Sequence, residues 1–371
     1  MPTVGEVVDL VHGWYPPESA DDWDAVGLAS GDPDAEVRRI LLAVDPVLPV
    51  AREAADRDAD LLLTHHPLFL RGVHGVAETT PKGRTLATLT RSGCGLLTAH
   101  TNADHGFPGV SDALAQALGL RDVRPVVPGG PPLDKLVVFA PPGDADAIRT
   151  AIAAAGAGQI GAYDSCSFVV AGEGRFRPLD GANPTIGRVG ELEVTDEVRI
   201  EAVVPRSRRA SVLRAMLAAH SYEEVAFDVT ELADPGTAHS GAGRVGDVDE
   251  TTLGEYAGLV AKALPPTARG VLVGGDPDRV VHRVAVVGGA GDFLLAEAAA
   301  SGADVYVTSD LRHHVAGEFL ERGGPSLLDI SHWAAEWTWL PELADRLRSD
   351  LGATVEVRVS TICTDVWQAR R

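Results

Sequence analysis

Residues 61–70 read LLLTHHPLFL: an apolar run, Leu61 to Leu63, passes into Thr64, His65 and His66 and is stopped by Pro67. A run this short, after the acidic Asp56, Asp58 and Asp60, has the pattern of a central parallel strand covered on both faces. Pro67 lacks an amide proton and biases His66 toward extended geometry. The two imidazoles should therefore leave the sheet at its carboxyl end, the edge where open α/β sheets bind ligands. A capped, hydrogen-bonded core feature would look the same, and the pair alone carries no function. Three later strands end in the same manner, in HTNAD (100–104), SDLRHH (309–314) and SHWAAE (331–336).

A chain of 371 residues suits two domains, one large and one small. The net charge of −21, from 53 acidic against 32 basic residues, argues against a binder of nucleic acid, whose phosphates demand clustered Lys and Arg. No apolar run approaches the ~18–20 residues needed to span a bilayer, and the N-terminus lacks a basic segment followed by a long apolar core. A cytoplasmic protein with no membrane partner is expected. Cys94, Cys166 and Cys363 are odd in number and far apart, which supports neither a disulfide framework nor a CxxC metal site; reduced, buried thiols are expected.

Thr3 and Glu6 fit a capping box before a helix that turns Val7, Val8, Val11 and Trp14 inward. Residues 39–45 (RILLAVD) read as a first buried strand, 49–57 as a helix, then the LLLTHHP strand, a helix at 81–92 and a strand at 95–99 delivering HTNAD. Ser111 reads as the cap of a helix over 112–118. Residues 121–133, with four prolines and Gly129 and Gly130, have the composition of a linker. Beyond it, strand 135–140, helix 144–155, a hairpin over 167–177 turning near Gly172 and Gly174, strand 198–204, helix 207–220 and strand 225–232 follow a ferredoxin-like order. The α/β rhythm resumes with a helix over 252–264, strands at 270–274, 281–287, 304–308 and 326–330, and a helix from about 332 to 349. The expected architecture is a split α/β metal-binding domain, residues 1–124 plus 239–371, with a ferredoxin-like α+β domain inserted over 125–238. Three consecutive domains are the alternative.

His332 and Glu336 lie four apart on a predicted helix, so both face one way, the spacing that lets a His and a carboxylate share a metal. An ordinary i, i+4 surface pair has the same spacing. Asp104 adds a hard oxygen able to bridge two ions. His65, His66, Asp104, His332 and Glu336 together give three nitrogens and two carboxylates, a set suited to Zn, Mn, Fe or Co rather than Ca or Mg. Five ligands point to two ions with open positions.

These stretches carry a resemblance. WDAVGL (23–28), LLLTHHPLF (61–69), HTNAD, GADVYVTSDLRHH (302–314) and ISHWAAE (330–336), in this order, resemble the NIF-three-like dinuclear metal-centre family, whose bacterial members are labelled GTP cyclohydrolase I type 2 homologues. HSYEEVAFD (220–228) resembles the PII-like insertion of the family's long members. The resemblance implies a metal pair on the residues matching His65, His66, Asp104, His332 and Glu336, and a toroidal homohexamer. Ala25, Ser221, Ser309 and Trp333 stand where Asn, Pro, Gly and Tyr are common, and none is a ligand. A small-molecule substrate is expected. Two ions ~3.5–4 Å apart lower the pKa of a shared water toward ~7, which supports hydrolysis as the reaction class. In the GTP cyclohydrolase form, attack falls on guanine C8, opens the ring and releases formate. The competing reading is a non-catalytic metal-binding or regulatory protein whose inserted domain senses a ligand or partner.

No catalytic residue is assigned by the sequence. His100, His313 and His314 could shuttle protons or orient ligands. Residues 288–291 could cradle a phosphate or form a plain tight turn. Tyr222, Glu223 and Glu224 could form a functional loop or simply acidic surface.

Overall fold

The apolar run at 61–63 forms the strand Leu61–Thr64, the middle of a five-stranded sheet ordered Gly27–Ser30, Gly95–Thr98, Leu61–Thr64, Arg39–Ala43, Glu356–Val359. Its neighbours run parallel except Gly27–Ser30, an antiparallel edge. Side chains alternate faces with period two. Ile40, Leu42, Leu61, Leu63 and Leu97 enter one core, while Leu41, Leu62 and Leu96 enter another beneath helices Leu48–Asp56 and Pro81–Ser92. Each fully buried leucine contributes roughly 1.5–3 kcal/mol, so a one-residue slip of this strand would be costly. The computed structural model describes residues 1–130, 132–161, 163–233 and 239–371.

A six-stranded sheet runs Leu272–Gly274, Ser326–Ile330, Val305–Ser309, Val280–Ala290, Gly241–Thr252, Arg121–Pro128. Its three strands 280–290, 305–309 and 326–330 are parallel and the outer pairings antiparallel. Val284, Val286, Val305, Val307 and Leu328 share one core with Leu61 and Leu63 of the first sheet. Helices Val4–Trp14, Val110–Ala117, Leu253–Ala263, His332–Trp337 and Trp339–Leu351 contribute to that same core. Capping boxes at Thr3 with Glu6 and at Thr252 with Glu255 start two of these helices.

The chain divides into two compact units, residues 1–130 with 236–371 and residues 131–235. The second is a four-stranded antiparallel sheet ordered Phe168–Phe176, Glu193–Pro205, Leu133–Ala140, Phe227–Glu231, the ferredoxin-like order. Ile148 and Ile152 of helix Ala145–Ala154, with Val212 and Met216 of helix Arg209–Ala219, pack on Leu136, Val138 and Ile200. The protein is thus an α/β fold with a separate α+β unit.

Several local expectations are corrected. Residues 121–128 form a strand, not a linker; Pro125 and Pro128 are tolerated because it is an edge with one neighbour. Ser111 lies inside its helix, whose N-cap is Gly109, and accepts from the Gly288 amide. Residues 168–176 are one continuous strand, and no hairpin turns at Gly172 or Gly174. A Cβ at Gly174 would lie 2.3 Å from the Glu197 carboxylate, so that glycine makes room across the sheet instead of turning the chain. The helix expected from 332 to 349 breaks at Thr338. Of the three free thiols only Cys94 is buried. Among the described residues, no helix is long and apolar enough to cross a membrane.

Candidate metal centre

The carboxyl ends of the two sheets bring the imidazoles together. His65 and His66 still donate their amides to Ala43 and Val44, and the chain leaves the ladder at Pro67. Both rings are thereby held at the sheet edge, 5.0 Å apart. From the next strand, His100 places its ring 5.1 Å from His65 and 5.3 Å from His66, and the short helix Thr101–His105 carries Asp104 inward. Helix His332–Trp337 starts on the Ser331 hydroxyl and presents His332 and Glu336 on one face, with His332 Nε2 2.7 Å from Glu336 Oε1.

Every imidazole is tied through Nδ1. His65 Nδ1 donates to the Ala99 carbonyl at 3.0 Å, and His66, His332 and His100 meet Asp45, Asp310 and Asp24 at 2.8, 2.7 and 2.8 Å. A second acceptor behind the ring fixes the tautomer and leaves Nε2 as the lone-pair nitrogen, the arrangement seen behind metal-ligating histidines. Those Nε2 atoms converge on two carboxylates: His65 lies 3.4 Å from Glu336 and 3.6 Å from Asp104, and His66 lies 3.3 Å from Glu336. His65 Nε2, Asp104 Oδ1 and Glu336 Oε2 are shielded from water and make no hydrogen bond among the described residues. Buried polar atoms without partners are rare because each costs about 1–3 kcal/mol. Three of them in one cluster have the chemistry to bind a cation. Two groups, His65 with His66 and His100, and His66 with His332 and Glu336, have donor atoms within 4.8 Å of one another and could bind a metal ion.

The electrostatics agree. Burial pushes the Asp104 carboxyl up to about 7, with Glu336 adding repulsion against the attraction of His100 and His105. Burial disfavours charge on His66 and His332, yet Glu336 with Asp45 and Asp310 outweighs it and lifts them to about 10 and about 11. Burial likewise opposes the Glu336 charge, but His332, His66 and His65 hold that carboxyl well below its usual range. Protons on His66 and His332 thus offset the negative charge of Glu336.

Beside the cluster lies an open cleft of ≈ 630 Å³, lined by His66, His100, Asp104, His332 and Glu336 and by Trp23 and Phe293. Gly289, at φ +74°, lets its strand pass: a Cβ there would stand 2.6 Å from Glu336 Oε1 and 3.2 Å from His332 Nε2.

The whole-chain pattern decides the family. The profile described as Duf34/NIF3 (NGG1p interacting factor 3) matches residues 2–366. The chain belongs to the Duf34/NIF3 family. A Mycobacterium tuberculosis member named GTP cyclohydrolase 1 type 2 homolog is 50% identical over 367 residues, 98% of this chain and 96% of that relative. A Bacillus subtilis protein of the same name is 38% identical over 331 residues, 89% and 88% of the two chains. A solved Bacillus cereus structure, a protein related to NIF3, superposes with TM-score 0.73 at 34% identity, covering 99% of this chain and 98% of that one. A Staphylococcus aureus structure superposes with TM-score 0.76 at 27% identity, covering 100% and 99%.

Within this Duf34/NIF3 fold all five sequence-derived candidates, His65, His66, Asp104, His332 and Glu336, meet at the cluster. Of the undecided histidines, His100 joins them. His313 and His314 are exposed on helix His313–Glu321, with rings 5.2 Å apart, and do not line the cleft. Gly288 to Ala290 finish a strand at the cleft wall instead of forming a tight turn, and the helix that follows, Leu295–Ala300, is short. Tyr222, Glu223 and Glu224 line a cavity of ≈ 380 Å³ in the second unit, where the Tyr222 hydroxyl meets Glu197 at 3.1 Å. Asp24, Asp45 and Asp310 were missed. Each sits in a quoted motif, in WDAVGL, RILLAVD and SDLRHH, and an acid at a strand end or loop beside a His-bearing strand is the signal that could have found them.

Proposed function

We propose that the protein is a metal-dependent hydrolase of a nucleotide or related small molecule. In this proposal His65, His66, Asp104, His332 and Glu336 hold two divalent transition-metal ions, Zn, Mn, Fe or Co. The observation that carries it is the convergence of unpartnered buried donors from His65, Asp104 and Glu336 at the wall of an open cleft. Ions bound there would supply Lewis acidity and a water nucleophile at neutral pH. The chain's own residues do the rest. Asp45, Asp310 and the Ala99 carbonyl hold the ligand rings in one tautomer. Trp339 packs on His65 at 5.6 Å and fixes its plane. His100, with Nδ1 held by Asp24, keeps Nε2 free to hold or move a proton at the cleft wall.

The relatives' name supports a finer form, ring opening of GTP with release of formate. Assembly as a homohexamer belongs to the proposal and is read from solution mass by light scattering. The separate cavity at Tyr222 favours a second reading, in which the smaller unit senses a ligand and the metal site regulates without turnover. The deciding experiment counts metals per chain by plasma mass spectrometry on protein purified without chelator, then follows formate release from GTP on the same sample. About two metals with metal-dependent formate support the finer form. Two metals without formate keep the site, discard GTP ring opening and direct a broader hydrolase screen, and no turnover in that screen favours the regulatory reading. No metal after reconstitution rejects the site.

A further inference from the structure

We infer that the cleft recognises its substrate through a planar, uncharged ring bearing N–H donors, such as a nucleobase or nucleoside, and not through a polyphosphate. This rests on the metal-site reading above and narrows its substrate class. Two large aromatic side chains line the same cleft while standing 57% and 60% exposed, Trp23 and Phe293. They come from different places in the fold: Trp23 precedes the edge strand Gly27–Ser30 of the first sheet, and Phe293 follows strand Val280–Ala290 of the second. The indole stands edge-on to His100 at 5.8 Å and 79°, fixed against the cluster and not loose in solvent. Single exposed apolar residues are ordinary. Two aromatics beside one reactive cluster form a platform on which a ring can stack.

Charge points the same way. Among the described residues no lysine or arginine lines the cleft. Asp21 and Asp22 stand at its mouth, with Asp21 3.1 Å from His105. Together with Asp104, Glu336 and the three carboxylates behind the imidazoles, they exceed the charge that two divalent ions would bring. Sites for phosphate groups are built from Arg, Lys or backbone-amide nests, and the glycines that line this cleft, Gly288 and Gly289, belong to the extended strand Val280–Ala290, with the Gly288 amide already donated to Ser111. Asp22 offers instead an acceptor for ring N–H groups.

The test is calorimetric titration of the metal-loaded, full-length protein with guanosine and, separately, with GTP, with metals counted on every sample. Guanosine is expected to bind at least about tenfold more tightly than GTP, and Trp23→Ala and Phe293→Ala are each expected to weaken guanosine by about tenfold with metal content unchanged. GTP binding as tightly as guanosine, guanosine failing to saturate, or guanosine affinity unchanged in both variants would overturn the inference. Metal content separates the two readings: two ions with a preference for GTP overturns the ring alone, whereas protein that takes up no ion overturns both.

Discussion

The charged cluster around Arg244 and the one around Glu336, both in the larger unit, are finished differently. Arg244, 1% exposed, spends its donors on both oxygens of Asp112 at 2.6 and 2.7 Å and on the carbonyls of Gly241, Gly243 and Gly106 at 2.7–2.8 Å. Asp112 also accepts from the Gly109 amide. Nothing there is left for a ligand. In the other cluster His65, Asp104 and Glu336 each keep a buried atom without a hydrogen bond among the described residues, although Nδ1 of His65, His66 and His332 is held in each ring. A satisfied buried pair locks the fold around the Gly106 loop, whereas an unsatisfied one is held ready for a cation.

The largest effect is expected on the finished side. Arg244→Ala leaves the partly buried Asp112 without its counter-charge and should cost about 3–5 kcal/mol in denaturant unfolding, with or without metal; a loss under 1 kcal/mol would remove the contrast. On the open side, Asp104→Asn should abolish most of the metal-dependent stabilisation, about 2.7 kcal/mol at a hundredfold excess over Kd. Metal-free, the same variant should be no less stable than the parent at pH 8. The sign follows from the raised Asp104 pKa: the native state holds the proton more tightly, so this group's contribution falls as pH rises from 3.8 to about 7 and stays low above it. Melting curves in chelator and in metal decide both parts. Removing an acid behind a ring, as in Asp45→Ala or Asp310→Ala, should weaken metal binding by about 10–100-fold without emptying the site, as read by competition with a chromophoric chelator. Metal affinity should rise with pH below about 10, because protons on His66 and His332 must leave, by roughly tenfold per unit for each proton displaced; a flat profile between pH 6 and 8 would place the ions elsewhere. Least of all, His313→Ala and His314→Ala should leave metal content unchanged.

Those last two residues show how far the sequence was legible. LLLTHH and SDLRHH both put a His pair after a buried strand, and only the first pair enters the site. His65 and His66 are still within the ladder when they appear, so the sheet aims them. His313 and His314 come four and five residues after Ser309 and fall on the exposed face of a helix. The ligand candidates were readable because a short apolar run followed at once by chemistry is a local signal. The carboxylates that orient the rings were not, since Asp24, Asp45 and Asp310 lie 76, 21 and 22 residues from the histidines they hold. Tertiary context also overrode composition at 121–128, where a proline-rich stretch became an edge strand, and at Gly174, where the glycine accommodates Glu197. Alternating α and β stretches announced the larger unit, and strand-helix-strand-strand-helix-strand announced the smaller.

The central claim is that five side chains hold two ions at the junction of the two sheets' carboxyl ends. Anomalous diffraction from a crystal of metal-loaded protein, collected across the absorption edge of the bound metal, tests it most directly. Two anomalous peaks among His65, His66, Asp104, His332 and Glu336, each ~2.0–2.2 Å from its nitrogen and oxygen ligands, are the predicted result. Peaks bound elsewhere on the chain, or none at the cluster in protein shown to carry metal, would contradict it.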